Sequence, residues 1–516
     1  MRIIMKTYKF LKVIGVVLLA TVTFVGCTDD FLDTNTDPLV LTELDASLIG
    51  NIYARTQYQG FDIDYHQTSQ NLFADHYCQY YANTQNAFPS DRYVLVGGWL
   101  NGAWNAFYGE IPNNLSVVLD ATDPAVNPGF ETLHALAQIW KVIVYERKTN
   151  YWGPVPYFSV NNGESSVPYD SERDIYMDFF STLDNAVATL NANQGGNAFG
   201  AHDQIYGGDI DQWIRFANTL RLRIAMRVSA VEPGIAQQEA EKAVAAGVMT
   251  DNSHDADFQT TSNSIHGMNR YTPWNEFRMS ASMESVLNGY NDPRREHFFR
   301  PAVTDGAFRG LRNGYEIVDL QGLAVLDVNN LSAIGPRWAD VAAADFNPYE
   351  IMQSAEAYFL RAEGALNGWN MGGTAEEFYN LGIEKSLIHW GITDVATITA
   401  YQQSTNTPVA THDAPAPLTT VPVKFDPANA LEQIHTQKWL GLFPDGWEAW
   451  AEQRRTGFPK RYAIMASENP DVGVNETMRR AQFVSGEYET NGAAVNDAIT
   501  KLGGPDLGST RLWWNP

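Results

Sequence analysis

Aromatic side chains beside amides are the residues whose types and spacing point most directly to a chemistry. Three stretches combine them: Tyr80–Asn83 with Tyr93 further on, Gly97–Asn101 and Asn269–Asn275. A sugar ring has a C–H face that stacks on a flat aromatic ring, and hydroxyls that pair with Asn, Arg and Asp. Such stretches therefore suit a glycan-binding surface. The alternative for each Trp is that it packs its loop against a core, because Trp is highly buried on average.

Common sequence motifs of catalytic sites are missing from the sequence. It has no Gly-rich phosphate loop ending in Lys-Ser or Lys-Thr, no paired-His zinc helix and no Gly-x-Ser-x-Gly elbow. His254, Asp255 and Asp257 are metal-ligand types, but they lie in a turn-rich segment that we interpret as a solvated loop. Asp62-Ile63-Asp64 lacks the rest of a calcium-loop pattern, which favours a solvated acidic turn. We expect no cofactor and leave a structural Ca²⁺ open.

Two glutamates on one predicted helix raise the question of glycoside hydrolysis. Glu356 and Glu363 are two helical turns apart and share a face. A glycosidase needs two carboxyls about 5–10 Å apart in a cleft. We favour ion pairs to neighbouring helices instead, with Arg361 or Arg223 as partners. A surface glycoside hydrolase stays a remote alternative.

The helices that must position these residues are clearest over 350–391. Apolar residues recur at helical spacing in 350–367, and Gly372-Gly373 follows the end of that helix. Thr374 and Glu377 form a capping box that starts the next helix. The pair makes a hairpin of about 40 residues, close to the tetratricopeptide period. Further helices are predicted at 44–80, 102–121, 130–149, 171–192 (capped by Ser171), 211–229, 234–247, 279–288, 427–441 and 446–455.

Long segments with Gly, Pro, Asn and Asp at turn density separate these helices. Loops of such length are uncommon in compact proteins and are often functional. No linker divides the chain after residue 45, so we predict one all-α domain at 44–516, with irregular insertions notably at 251–349 and 391–425. The irregular segments are 82–100, 151–170, 251–278, 291–349, 391–425 and 457–516.

Charge and hydropathy exclude two classes of protein. The 516 residues carry a formal net charge of -25, and a surface that acidic repels the phosphates of nucleic acid. The mean hydropathy of -0.28 argues against a polytopic helical membrane protein. Two cysteines cannot form a disulfide scaffold, and Cys78 lies in an aromatic stretch, which favours a buried structural thiol.

The N-terminus predicts export and a lipid anchor. Residues 1–26 combine a basic start with a short apolar run, as in a secretory signal peptide. The run ends at Gly26-Cys27, which resembles a bacterial lipobox, so we expect Cys27 to be lipidated after cleavage. An ordinary signal peptide with an incidental Cys is the alternative. Residues 27–43 then form a lipidated tether, and the acidic pair Asp29-Asp30 resembles a surface-export signal.

A series of short motifs runs from Cys27 to the C-terminus. These motifs are Asp33–Pro38, Tyr151–Tyr157, Gly207–Asp209 with Trp213, Phe216–Arg223, Asn291–Arg294, Ala357–Glu363, Gly382-Ile383 with Trp390-Gly391, Gln437–Trp439, Asp445–Trp450 with Arg454–Gly457, and Arg511–Trp514. No single motif is specific, but the order of all of them is. Together they resemble the SusD/RagB family of Bacteroidetes outer-membrane lipoproteins and, within it, the SusD-like subgroup.

This resemblance implies a fold and a function. The fold is all-α, with about four tetratricopeptide-like helix pairs carrying a loop-rich irregular lobe. The function is that of a non-enzymatic, lipid-anchored protein of the outer membrane, exposed at the cell surface. It captures glycans and delivers them to a SusC-type TonB-dependent transporter. Peptides or another nutrient are the alternative cargo, and a scaffold that binds only the barrel is a minor one.

The resemblance also implies where ligand contacts lie. The loop between two early helices contributes one set of candidates, and the irregular lobe contributes a second. The strongly matching motifs, including Arg221, Arg361, Glu363 and Trp439, are expected to serve the fold. The ligand-binding candidates are Asn83, Arg92, Tyr93, Trp99 and Asn101 from the loop, and Arg270, Tyr271, Trp274 and Asn275 from the lobe.

Overall fold

The computed structural model describes residues 46–85, 87–164, 166–316, 327–339 and 347–516. Within them the chain is rich in helices and has only short strands, which confirms the all-α prediction. The helices are α1 (Ala46–Gly60), α2 (Gly97–Tyr108), α3 (Ile111–Thr122), α4 (Glu131–Trp152), α5 (Glu172–Asn191), α6 (Ile210–Arg227), α7 (Pro233–Ala246), α8 (Gly267–Tyr271), α9 (Ala281–Gly289), α10 (Arg295–Phe298), α11 (Ser354–Leu366), α12 (Ala375–His389), α13 (Val395–Gln402), α14 (Ala430–Leu442), α15 (Gly446–Thr456), α16 (Ser485–Thr490) and α17 (Gly492–Leu502).

Short strands join distant parts of the chain into three two-stranded antiparallel sheets. Each strand has only two to four residues, so each sheet serves to link two segments of the chain. The pairs are β1 (Tyr81–Asn83) with β3 (Phe277–Met279), β2 (Ala256–Phe258) with β6 (Tyr349–Met352), and β4 (Phe299–Arg300) with β5 (Ala333–Ile334).

The long helices pack as neighbouring pairs, α4 with α5, α6 with α7, α11 with α12 and α14 with α15. Contacts of α5 with α6, α6 with α11 and α11 with α14 join the pairs. Gly382 of α12 lets its helix approach α11, since a Cβ there would come within 2.6 Å of the Phe359 ring. The predicted caps are confirmed: Thr374 and Glu377 form the capping box of α12, and Ser171 caps α5.

Buried ion pairs connect these helix pairs to one another. Both carboxylate oxygens of Glu356 on α11 accept from the Arg223 guanidinium on α6, at 2.9 and 2.6 Å. Glu363 accepts twice from Arg455 of α15, at 2.7 and 2.6 Å. The prediction that these glutamates serve interhelical ion pairs is confirmed, with Arg455 in place of Arg361, which donates to the Met371 carbonyl.

Arg227 lies near three glutamates of this network. Its guanidinium lies 2.6 Å from Glu448 and 2.9 Å from Glu452, both on α15, and 3.8 Å from Glu146 on α4. All four side chains are buried. Three helices therefore meet at one guanidinium. We call these four residues, together with Arg223, Glu356 and Lys438, the buried ion network.

Several local predictions were wrong. The segment 391–425 contains α13, and 457–516 contains α16 and α17. The segment around His254 is no solvated loop, because β2 pairs with β6 there, and Asp255 accepts from the Ser354 N–H at 2.7 Å. Asp62 is buried against Lys148 at 2.5 Å, so it is not part of a solvated turn. For Asp255 and Asp62 the partner lies 99 and 86 positions away in the chain.

The predicted signal peptide 1–26, Cys27 and the tether 27–43 lie outside the described residues, and the domain boundaries stay a prediction. Cys78 is fully buried, as expected, and burial raises its pKa well above the usual value for a thiol. In the part of the chain that the structure describes, no helix has both the length and the apolar character to cross a membrane.

The buried carboxyl of Glu172, at the start of α5, should make the free energy of unfolding depend on pH. Burial raises its pKa to about 7, and one of its oxygens accepts from the Trp513 N–H at 3.0 Å. The folded chain therefore holds this proton up to a higher pH than the unfolded chain, so stability falls between about pH 4.5 and pH 7. At roughly 1.4 kcal/mol per pKa unit, the loss is about 3 kcal/mol.

Glu172→Gln removes this titration, so the variant should gain about 3 kcal/mol over the wild type on going from pH 5 to pH 8. Urea unfolding of both proteins at the two pH values measures the difference. The control is Glu489→Gln, since Glu489 is exposed. An equal pH dependence of the wild type and Glu172→Gln would contradict the prediction.

Candidate functional site

The structure brings two of the predicted aromatic stretches together. Strand β1 from the first stretch pairs with β3, which directly follows the 269–275 stretch, and Asn83 lies opposite Phe277. The pairing continues outward, because the Thr84 N–H donates to the Glu276 carbonyl at 2.9 Å and the Thr84 hydroxyl to the Asn275 carbonyl at 2.8 Å. The early loop and the irregular lobe therefore form one surface held by backbone hydrogen bonds.

Trp274 is presented outward on this surface. Helix α8 is followed at once by a 3₁₀ turn, Thr272–Trp274, and Asn275 then takes a left-handed conformation with φ of 61°. The Trp274 side chain is 51% exposed, whereas Tyr271 is 2% exposed and is hydrogen-bonded to His66. The two rings are 6.5 Å apart. Tyr271 thus anchors the turn, and Trp274 offers a ring to solvent.

Polar groups lie beside this ring. Arg270 is exposed and lies 3.5 Å from Asp64, which also accepts from the Tyr58 hydroxyl at 2.5 Å. The Asn275 amide oxygen accepts from Arg278 at 2.9 Å, which fixes its orientation. Partial burial raises the pKa of Glu276, which accepts from Gln67 at 2.6 Å.

Tyr65 is a residue of this surface that the sequence argument missed. It follows Asp64 directly and is 45% exposed. Its position beside an acidic pair was the available signal, but the pair was interpreted as a solvated acidic turn. We call Tyr65, Arg270, Trp274 and Asn275 the Trp274 platform. Two exposed aromatic rings, a cation and an amide are the groups that stack on a sugar and pair with its hydroxyls.

Three of the loop candidates are buried and hold the loop itself. The Asn83 amide donates to the Gln85 carbonyl at 2.8 Å and to the Phe88 carbonyl. Arg92 donates to Glu468 at 2.5 Å and to the Tyr315 carbonyl at 3.2 Å. The Tyr93 hydroxyl donates to the Glu476 carbonyl at 2.8 Å.

For these residues and for Tyr271 the structure thus shows scaffold contacts, and a role in binding stays a prediction. All four are buried, so each would have to move before it touched a ligand. The contacts of Arg92 and Tyr93 join the loop to the C-terminal segment, at Glu468 and Glu476.

Trp99 and Asn101 begin helix α2. Trp99 is partly buried and meets Phe88 edge-on at 5.5 Å and Phe73 at 6.2 Å. The Asn101 amide donates to the Ser485 hydroxyl at 2.7 Å and accepts from the Gly486 N–H at 3.1 Å. Asn101 therefore joins α2 to α16. Binding roles for both residues also stay predictions.

Acids with strongly raised pKa values lie inside the protein. Burial raises the pKa values of Asp75, Glu172 and Glu448 to about 7. Each is buried and has a polar neighbour: Gln70 donates to Asp75, the Trp513 N–H to Glu172, and Arg227 to Glu448. These three carboxyls do not face solvent, so they form no open pair of the kind that a glycosidase requires.

One group of side chains within the described ranges has the spacing of a metal site, namely Glu363, His435 and Glu452. Arg455 already binds both carboxylates, at 2.6 Å from Glu363 and 2.8 Å from Glu452. Burial lowers the pKa of His435 to about 4, so it is neutral at physiological pH. The guanidinium supplies the positive charge that a cation would bring, and we assign the group to the ion pairs of the fold.

Comparison with known proteins gives a consistent result. A family model described as SusD-like, "Susd and RagB outer membrane lipoprotein", matches residues 33–515. A solved chitin-binding SusD homolog from Flavobacterium johnsoniae is 32% identical with a TM-score of 0.82, and the match covers 91% of this chain and 98% of that one.

Two further solved structures are similar. A SusD-like protein from Bacteroides thetaiotaomicron is 31% identical, with a TM-score of 0.79 and coverage of 90% of this chain and 98% of that one. A chitin-binding protein is 25% identical, with a TM-score of 0.76 and coverage of 90% and 99%. No curated protein matches the chain significantly.

Proposed function

Because this chain belongs to the SusD-like family of outer membrane lipoproteins, we propose that it captures glycans at the cell surface and delivers them to a SusC-type TonB-dependent transporter. The observation that carries the glycan assignment is the half-exposed Trp274 ring with Arg270 and Asn275 beside it. The similarity to a chitin-binding homolog supports the same substrate class. Chains of N-acetylglucosamine are therefore the first glycans to test.

In the proposed mechanism the protein binds the glycan without making or breaking covalent bonds. The Trp274 ring stacks on a sugar face, while Arg270 and the oriented Asn275 amide pair with hydroxyls. Each contact is weak, so we expect dissociation constants between micromolar and millimolar, or about -8 to -4 kcal/mol. Weak binding suits a protein that must release its cargo to a barrel. We propose in addition that the chain is not an enzyme.

The testing experiment uses the protein from residue 28 onward, without the predicted signal peptide and lipidated Cys. It is applied to insoluble chitin, a glycan array and a peptide pool, and every bound ligand is analysed for cleavage. Intact glycan on the protein would support the proposal. Cleaved glycan would contradict the absence of catalysis, and binding to peptides alone would replace the cargo while keeping the transport role.

Lipidation gives a separate prediction. Replacing Cys27 by Ala removes the thiol that would carry the lipid, so the protein should move from the outer-membrane fraction to the soluble fraction. Fractionation of cells that express either form, followed by immunoblotting, measures the distribution. The matched control is Cys78→Ala, since Cys78 is buried and should not affect partitioning. Retention of the Cys27→Ala form in the membrane would contradict the lipid anchor.

A further inference from the structure

A second concave site lies between helix α2, the loop that follows α4, and helix α16. It is a pocket of about 190 Å³. None of the four Trp274 platform residues lines it. Since about 10–15 Å³ of such volume already holds one water molecule, the pocket has room for a ligand with the size of a sugar ring.

One wall of this pocket is aromatic and rigid. Trp104 and Tyr108 are one turn apart on α2, and their ring centroids lie 4.3 Å apart. Trp104 is buried and stacks on Tyr169 behind it, at 5.9 Å and an interplanar angle of 17°. The Tyr108 hydroxyl donates to the Pro156 carbonyl at 3.1 Å. The half-buried Tyr108 ring is therefore fixed before any ligand arrives.

The lining of the pocket also includes an oriented carboxylate, that of Glu487. Oε2 of Glu487 accepts from the Tyr169 hydroxyl at 3.0 Å and from the Asn491 amide at 3.1 Å. Oε1 accepts no hydrogen bond from any described residue. The Asn491 amide in turn donates to the Val167 carbonyl at 2.8 Å and accepts from the Ser166 hydroxyl at 2.7 Å. The pocket thus offers a hydroxyl donor one open acceptor in a fixed place.

The charge of the pocket selects among ligand classes. No described residue that lines it is cationic, and Glu487 is its acid. An acidic peptide or a phosphate would meet repulsion without compensation, whereas a neutral ring with hydroxyls meets a flat aromatic face and an acceptor.

We propose that this pocket is a second saccharide site, which binds one neutral sugar ring against Tyr108 with a hydroxyl donating to Glu487 Oε1. The inference rests on the proposed function and deepens it. Asn101 is a positioning residue for this site: it shares the α2 face of Trp104 and Tyr108, at i, i+3 and i+7, and it holds Ser485 and Gly486 at the start of α16.

The test uses saturation-transfer NMR with three probes: N-acetylglucosamine, N,N′-diacetylchitobiose and an acidic tripeptide. Thr490 lines the pocket with an exposed side chain, so Thr490→Trp should fill it without disturbing the core. We expect saccharide signals to persist in Trp274→Ala and to fall at least fivefold when Thr490→Trp is added. Glu487→Gln should weaken them at least threefold, and it serves as the second variant if Thr490→Trp unfolds.

Saccharide signals that survive both changes would overturn the proposal, as would transfer to the tripeptide alone or to no probe. The chitin experiment separates this failure from that of the proposed function. Chitin retention that depends on Trp274, with no effect of Thr490→Trp on the NMR signals, would remove only the second site. NMR signals that depend on Thr490, without retention of any polysaccharide, would remove only the proposed capture role.

Discussion

Replacing Trp274 by Ala should lower the retention of glycan by the protein about 30-fold. The ring is 51% exposed and stands over a turn that Tyr271 and the β1–β3 pairing hold in place. Aromatic residues at the centre of binding surfaces commonly cost about 2 kcal/mol or more on truncation, which corresponds to roughly 30-fold in affinity. Because the ring contributes little to the core, unfolding should change by less than about 1 kcal/mol.

The matched control for this prediction is Trp369→Ala. Trp369 is another partly exposed Trp, but it lies in the turn between α11 and α12, away from the platform in the chain. Glycan retention should stay at the wild-type level in that variant, and Trp274→Phe should keep most of it. Affinity electrophoresis in soluble polysaccharide measures all three, with thermal unfolding run alongside. Equal losses for Trp274→Ala and Trp369→Ala would remove the platform from the binding site.

Replacing Arg227 by Met should destabilise the protein by about 3–5 kcal/mol. The guanidinium forms ion pairs with Glu448 and Glu452 on α15 and lies 3.8 Å from Glu146 on α4, and all of these side chains are buried. Met fills similar volume but removes the nearest cation from the buried Glu448, whereas Glu452 keeps Arg455 at 2.8 Å. Removing one member of a buried ion pair costs about this much. Since the network joins several helix pairs, we expect the loss in one cooperative transition and not in a local step.

The control is Arg173→Met, which breaks the exposed pair of Arg173 with Glu232 at 2.7 Å. Exposed pairs contribute about 0–1 kcal/mol, so its unfolding midpoint should hardly move. Urea denaturation followed by circular dichroism compares the two variants. Similar midpoints for Arg227→Met and Arg173→Met would mean that the buried ion network does not hold the helix pairs together.

The sequence predicted those parts of the fold whose signals are local. Helical spacing with a capping box identified α11 and α12, and Ser171 identified the start of α5. The Glu356–Arg223 pair was also accessible, because charges on buried helix faces need partners. Helix α17 was missed because its buried stripe has only Val495, Ala498 and Leu502, too few to establish a period.

The candidate site was predicted as a set of segments but not in its detail. Tyr271 and Trp274 are three residues apart, yet one points inward and the other outward. Helical spacing alone would place both near one face. The contact that distinguishes them is tertiary, because the Tyr271 hydroxyl is hydrogen-bonded to His66, which lies 205 positions away in the chain. The contacts that hold Arg92 and Tyr93 could not be predicted, because their partners, Glu468 and Glu476, lie more than 370 positions away in the chain. Only the tertiary structure reveals such pairs.

The division between inward and outward residues in the lobe bears on how such proteins diversify. Tyr271, Arg278 and the β1–β3 pairing carry the architecture, while Arg270 and Trp274 project from it. Substitutions at exposed positions away from structural contacts typically change stability by less than about 0.5 kcal/mol. A lineage can therefore exchange the chemistry of the outward positions for a new nutrient while the inherited scaffold stays intact.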